Sequence, residues 1–189
     1  MAETKENSLS KAFVGFVLER ASAAPKIKDT GFVARMKRAD NPDLEYQVWN
    51  ILLKFNVDIE FAARRLPFCL IGAALCRRQP EKDGIFGLGA SLRSCFGDDE
   101  DQGSIRLRRL LACQTTEEVC RILRPMLSLI TVKATKPLCF ATLLDELLYF
   151  ESKGIQNRIC TKRTTDFASG KSSIPAGVTN SGYRKRYPF

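Results

Sequence analysis

The chain has no histidine among its 189 residues. That absence removes the Ser-His-Asp triad, the Cys-His nucleophile pair and every His-ligated metal site. Tryptophan occurs once, at Trp49, and methionine three times. No apolar run approaches the ~20 residues that span a bilayer, and the opening Met-Ala-Glu-Thr-Lys-Glu-Asn has neither the basic nor the apolar part of a signal peptide. A soluble, cytoplasmic protein with no membrane partner is expected. Strand-like alternation is confined to Ile130-Thr-Val-Lys133. The seven cysteines form no Cys-x-x-Cys pair; Cys69/Cys76 and Cys113/Cys120 are each seven apart, about two helical turns. An odd count without an export signal reads as reduced thiols serving as small core residues. No metal, cofactor or enzymatic activity is expected, because no nucleophile–base pair or ligand cluster can be assembled from these residues.

What is present describes a folded, basic protein. With 44% hydrophobic and 27% charged residues the chain can bury a sizeable core. The net charge is +9 and unevenly placed: residues 152–189 carry eight basic side chains against the single acid Asp166. A strongly basic balance points to a polyanionic partner.

Apolar spacing of three and four recurs along the chain and predicts an all-α bundle of about eight to nine helices. A first helix runs from Ser8 to Arg20, and a basic one from Thr30 with Phe32, Val33 and Met36 facing inward. Asn41-Pro42 reads as cap and first residue of a third helix with Leu44, Val48, Ile51, Leu52 and Phe55 on its stripe. Trp49 lies beside that stripe and is expected to be partly buried. Asp58 reads as the cap of a fourth helix reaching Arg78, kinked or restarted at Pro67. A fifth runs from Phe86 to Cys95, followed by a loop over 97–103, and a sixth starts at Ser104. Thr115-Thr-Glu-Glu118 is a capping box opening a seventh helix, with a kink point at Pro125. An eighth starts at Pro137, Gly154 interrupts it, and a ninth covers Gln156 to Phe167. Residues 1–168 thus form a helical domain, with room for two packed sub-bundles. Residues 169–189 are turn-forming and end in Tyr183-Arg184-Lys185-Arg186-Tyr187, cations bracketed by rings that suit stacked bases or a groove on a neighbouring subunit. This basic tail is expected to be flexible in the isolated protein.

Several motifs fail their context tests. Gly87-Leu-Gly89 lacks a preceding strand and a third glycine, so it reads as a close-packed helix start rather than a dinucleotide fingerprint. Asp98 to Asp101 with Gly103 imitates a calcium loop, but Arg109 stands where a bidentate Glu is required. Gly170-Lys171-Ser172 has no P-loop context.

The cations remain. Lys26, Lys28, Arg35, Lys37 and Arg38 form one group; Arg106 and Arg109 project together three residues apart, and so do Arg121 and Arg124. Three such groups in a chain of charge +9 suit contact with backbone phosphates. No RNP-type aromatic motif and no recognition helix stands out, so sequence-specific reading is not predicted.

Leu88-Gly89, Arg106-Leu107 followed by Leu110-Leu111, Leu123-Arg124 and the run Pro137 to Leu148 resemble, in order and spacing, the CasB-type small subunit of the type I-E CRISPR Cascade complex. The resemblance covers roughly residues 10–167. It implies a helical, non-catalytic subunit that sits as a pair in a ribonucleoprotein complex. There it contacts guide RNA and target DNA through their backbones, stabilises the R-loop and helps hold the displaced strand in antiviral defence. The family's basic positions carried over are Lys37 and Arg38, then Arg106, then Arg124. Ala90 stands where a basic residue is common and Pro125 replaces an arginine, so Arg93 or Arg121 is where that contribution would move. Phe140 replaces the usual tryptophan. Two other readings stay open: a helical module binding an acidic partner protein, and a DNA-binding regulator outside CRISPR.

Overall fold

The computed structural model describes residues 2–27, 29–96 and 100–169. In chain order the helices are α1 (Ala2–Ala21), α2 (Thr30–Met36), α3 (Trp49–Lys54), α4 (Ala62–Arg78), α5 (Leu88–Arg93), α6 (Glu100–Leu111), α7 (Thr116–Lys133), α8 (Phe140–Leu148) and α9 (Lys153–Ser169). A single 3-10 turn, Glu45–Val48, leads into α3. The fold is all-α, with one isolated bridge between Phe86 and Leu138 among the described residues.

Pro67 to Cys76 of α4 are buried without a break. A helix apolar on every side must be surrounded, and α4 packs against α1, α2, α7 and α8. Phe13 of α1 meets Phe68 of α4 and Phe55 edge-on, with ring centroids 5.0 and 5.3 Å apart. Phe16 continues the cluster to Phe32 and Phe55. A second layer joins α5 to α9 and α6 to α7, and one apolar core runs from Phe13 through to Phe167.

Helix boundaries depart from the sequence-based expectation where side chains found other partners. α1 begins earlier, at Ala2. Asn41 does not cap a helix; its Oδ1 accepts from the Asp43 amide, an Asx turn, and the chain reaches α3 through turns and the 3-10 segment. Asp58 makes a similar turn with the Glu60 amide, and α4 starts at Ala62. α4 and α7 run unbroken through Pro67 and Pro125, since each proline removes only one ladder bond in a well-packed helix. α6 starts at Glu100, inside the expected loop, with Asp101 in its first turn where negative charge is favourable. Ile130 to Lys133 finish α7.

The largest departure is at α8. Pro137 lies outside the helix, where its carbonyl accepts from the Phe86 amide while the Cys139 amide donates to the Phe86 carbonyl. Phe86, drawn into that bridge, is thereby lost from α5, which starts at Leu88. The cap of α8 comes from Asp83: Oδ1 accepts from the Phe140 amide at 2.7 Å and Oδ2 from the Ala141 amide at 3.0 Å. α8 then ends at Leu148, ahead of Gly154, which lies within α9. Trp49 is half-buried, as its place beside the stripe implied.

Candidate nucleic-acid interface

Asp29 opens α2 by accepting from the Phe32 amide at 2.8 Å, which sets the phase of the short basic helix. Phe32 and Met36 then face the core, while Arg35 and Arg38 are exposed and Lys37 is half-buried. Arg38 folds back so that its Nε donates to the Ala34 carbonyl at 3.2 Å. Lys26 is exposed beyond α1; Lys28 lies outside the described residues.

Three residues past Lys37, Asp40 is buried, its side chain only 6% exposed. Two arginines from other helices reach it. Arg77, at the end of α4, donates to Asp40 Oδ1 and also to the Lys37 carbonyl at 2.9 Å. Arg124, midway along α7, brings its Nε to 3.3 Å from Asp40 Oδ2, an ion pair off hydrogen-bond alignment. Lys37, Arg77 and Arg124 therefore gather around Asp40, with Arg38 next to Lys37 in the chain. The Cys76 thiol beneath them is pushed up to about 12 by burial, with Lys37 and Arg77 pulling the other way.

A second group forms around the end of α5. Arg93 lies over the Phe167 ring, Arg106 over Phe96 and the Lys136 ammonium over Phe86, at 5.8, 5.6 and 5.6 Å from the centroids. The Lys136 amide donates to Ser94 Oγ. The neighbouring Cys95 thiol is raised by burial and pulled back by Lys133 and Arg106. Aromatic faces hold these cations in place. Arg109 follows Arg106 by three residues on α6, and Arg121 precedes Arg124 by three on α7. Both are exposed and in no ion pair among the described residues.

Helix α7 separates the two groups. From Arg124 to Lys133 is nine residues, about two and a half turns and roughly 13 Å along the axis, so the two cations flank α7 on opposite sides. The three sequence groups are thus redistributed. Lys37 and Arg38 join Arg124, and Arg106 joins Arg93. Arg77, Lys133 and Lys136 enter although sequence reasoning passed over them: each sits at or beyond a helix end, where no periodicity assigns it a face. Arg124, expected as a free cation, is held by Asp40. Tyr183, Arg184, Lys185, Arg186 and Tyr187 lie outside the described residues.

Among the described residues no three His, Cys, Asp or Glu side chains gather as a metal site requires. No described helix is long and apolar enough to cross a membrane. The Gly-Leu-Gly segment serves packing: a Cβ on Gly87 would lie 2.6 Å from Asp166 Oδ2, and one on Gly89 would lie 2.2 Å from the Arg163 carbonyl oxygen.

No curated protein and no solved structure matches the chain. The family described as CRISPR-associated protein Cse2 matches it over residues 33–167, from α2 to the end of the α9 packing surface. That span includes both cationic groups and the glycines that seat α9 on α5. The chain belongs to the CRISPR-associated protein Cse2 family, the small subunits of the type I-E Cascade complex.

Proposed function

We propose that this Cascade subunit is a non-catalytic clamp on nucleic-acid backbone, stabilising the pairing of guide RNA with target DNA and restraining the displaced strand. The observation that carries this reading is the pair of cationic groups on opposite flanks of α7. Lys37, Arg38 and Arg124 make one and Arg93 and Arg106 the other, with exposed Arg109 and Arg121 extending them. Two separated groups suit two strands. Phosphate contact needs only positioned cations, and exchanging a DNA duplex for a guide–target heteroduplex is nearly balanced, so modest backbone contacts tip it.

Within this reading Lys26, Lys28 and Arg35 extend the first group. The helical domain over 1–168 pairs with a second copy inside the complex, and the tail over 169–189 contacts a strand or a neighbouring subunit through Tyr183 to Tyr187. Family membership sets aside a regulator outside CRISPR. Binding of acidic partner proteins remains the competing use of the same surface.

Charge reversal decides between them. Complexes carrying Lys37→Glu with Arg38→Glu should bind target DNA more weakly, with the salt slope reduced by about one unit per lost phosphate contact, and with helicity unchanged. Unaltered affinity and slope, or loss of subunit assembly in place of DNA binding, would overturn the reading.

A further inference from the structure

Asp40 is the one buried acid in the cationic group that contains Lys37, Arg38, Arg77 and Arg124, and its placement runs against simple electrostatics. A surface built only to attract phosphate gains nothing from a carboxylate at its centre. Here that carboxylate binds two guanidinium groups at once, one on each oxygen. Arg77 is fixed further by the Lys37 carbonyl, so its orientation is set by two acceptors. Both arginines keep solvent access, with side chains 36% and 43% exposed. Each guanidinium has five N–H donors, and the hydrogen bonds and ion pair to Asp40 and Lys37 use only a fraction of them. The cluster remains net positive, since one carboxylate faces two guanidinium groups and the Lys37 ammonium.

We propose that Asp40 is a positioning residue and Arg77 a further phosphate-contacting residue: the buried carboxylate holds Arg77 and Arg124 side by side as a preformed seat for one backbone phosphate. The inference rests on the reading of this group as a nucleic-acid surface and goes beyond it by naming a seat and the residue that builds it. Two guanidinium forks presented together match the oxygens of a phosphodiester in a way that a lysine point charge does not. Fixing them beforehand removes the entropy that two free arginines would lose on binding.

The test turns on a sign. Asp40→Asn raises the net charge of the group by one, so if the arginines act only as diffuse charge, the variant complex binds target DNA more tightly and with a steeper salt dependence. As a positioning residue, Asp40 is needed for the seat, and Asp40→Asn should weaken binding about tenfold, the worth of one charge-assisted hydrogen bond. Arg77→Lys should also weaken binding while keeping the salt slope, because the charge stays and the fork is lost. Arg77→Ala should lower the slope by about one unit.

Circular dichroism and melting of each variant check the fold, and if Asp40→Asn does not fold, the Arg77→Lys and Arg77→Ala arms decide. Tighter binding by Asp40→Asn overturns the proposal, as does wild-type affinity for Arg77→Lys or Arg77→Ala. So does an effect confined to subunit assembly, which would mean the seat takes an acidic side chain. Lys37→Glu with Arg38→Glu is measured in parallel. If that variant loses affinity while Asp40→Asn tightens binding, only the seat is wrong; if neither changes affinity, the nucleic-acid reading falls with it.

Discussion

A Cβ on Gly89 would lie 2.2 Å from the Arg163 carbonyl oxygen and 2.8 Å from the Phe167 amide, both on the backbone of α9. Backbone cannot swing aside as a side chain can, so the whole helix would have to shift. Gly89→Ala should therefore lose about 1–3 kcal/mol by denaturant titration, the usual range for overpacking. Gly15, inside α1, has nothing within 4 Å of its Cβ position. Gly15→Ala should be neutral or stabilising by up to about 1 kcal/mol, because alanine favours the helix. Equal effects of the two substitutions would mean that α5 and α9 do not approach this closely. The same α9 turn carries Arg163, 1% exposed, whose Nε donates to Glu146 Oε2 at 3.2 Å while Lys162 meets the other oxygen. One acid of α8 thus adds a second tether to α9.

Helices α7 and α8 start with different kinds of cap. At α7 most of it is local: Thr115 Oγ1 accepts from the Glu118 amide, and the Glu118 carboxylate accepts from the Gln114 amide at 2.9 Å. Backbone donors of Gln114 and Thr115 hold the Glu118 carboxyl below its usual range. Glu151 adds a distant acceptor for the Thr116 amide. At α8 the described cap is remote. Asp83 satisfies two first-turn amides, and burial still pushes its carboxyl upward against the Phe140, Ala141 and Gly84 donors. Asp83→Ala should cost about 1–2 kcal/mol, the worth of a lost N-cap, which lowers Tm by roughly 2–8 °C in a chain of this length. Hydrogen exchange should speed up at the Phe140 and Ala141 amides first. Retained protection there would show that another group caps the helix.

The buried thiols report on the fold as a whole, because they lie in α4 and α7 at the packing centre. Cys69, Cys76 and Cys120 are pushed up from 9.0 to about 12, burial being the main cause for each. Between those values the folded state keeps protons that the unfolded chain has lost. The resulting stability is fully present below about pH 9 and is lost as pH rises through that window, at about 1.4 kcal/mol per pH unit for each thiol. Denaturant midpoints should fall steeply above about pH 9. Replacing all three with alanine should flatten that fall, whatever the variant loses at neutral pH. A wild-type curve as flat as the variant's would place these thiols in contact with water. Native protein should also react slowly with thiol reagents at these three positions.

The class of the fold, most of its helices and the buried identity of the core were readable in the residue order. A three-and-four apolar spacing acts within a turn or two, and a Thr-x-x-Glu cap closes over four residues, so neither needs the rest of the chain. The local capping residue at Thr115 and the start of α2 at Thr30 were found for that reason. The cationic character of the surface was readable too, since charge is a property of composition. What the sequence could not determine was which cations meet. Asp40 finds Arg77 across 37 positions, and Asp83 caps α8 across 57. Such pairings arise only when packing brings the turn after α2 beside α4 and α7, and the turn after α4 beside α8. Asn41-Pro42 and Pro137 carried sound local signals that tertiary contacts overrode, because an Asx turn and a two-stranded bridge satisfied the same backbone groups. Family and basic surface were therefore decided by local order and composition. The arrangement of that surface, with a buried carboxylate holding two arginines from different helices, was decided by packing, because it depends on contacts between distant segments that no short window of residues encodes.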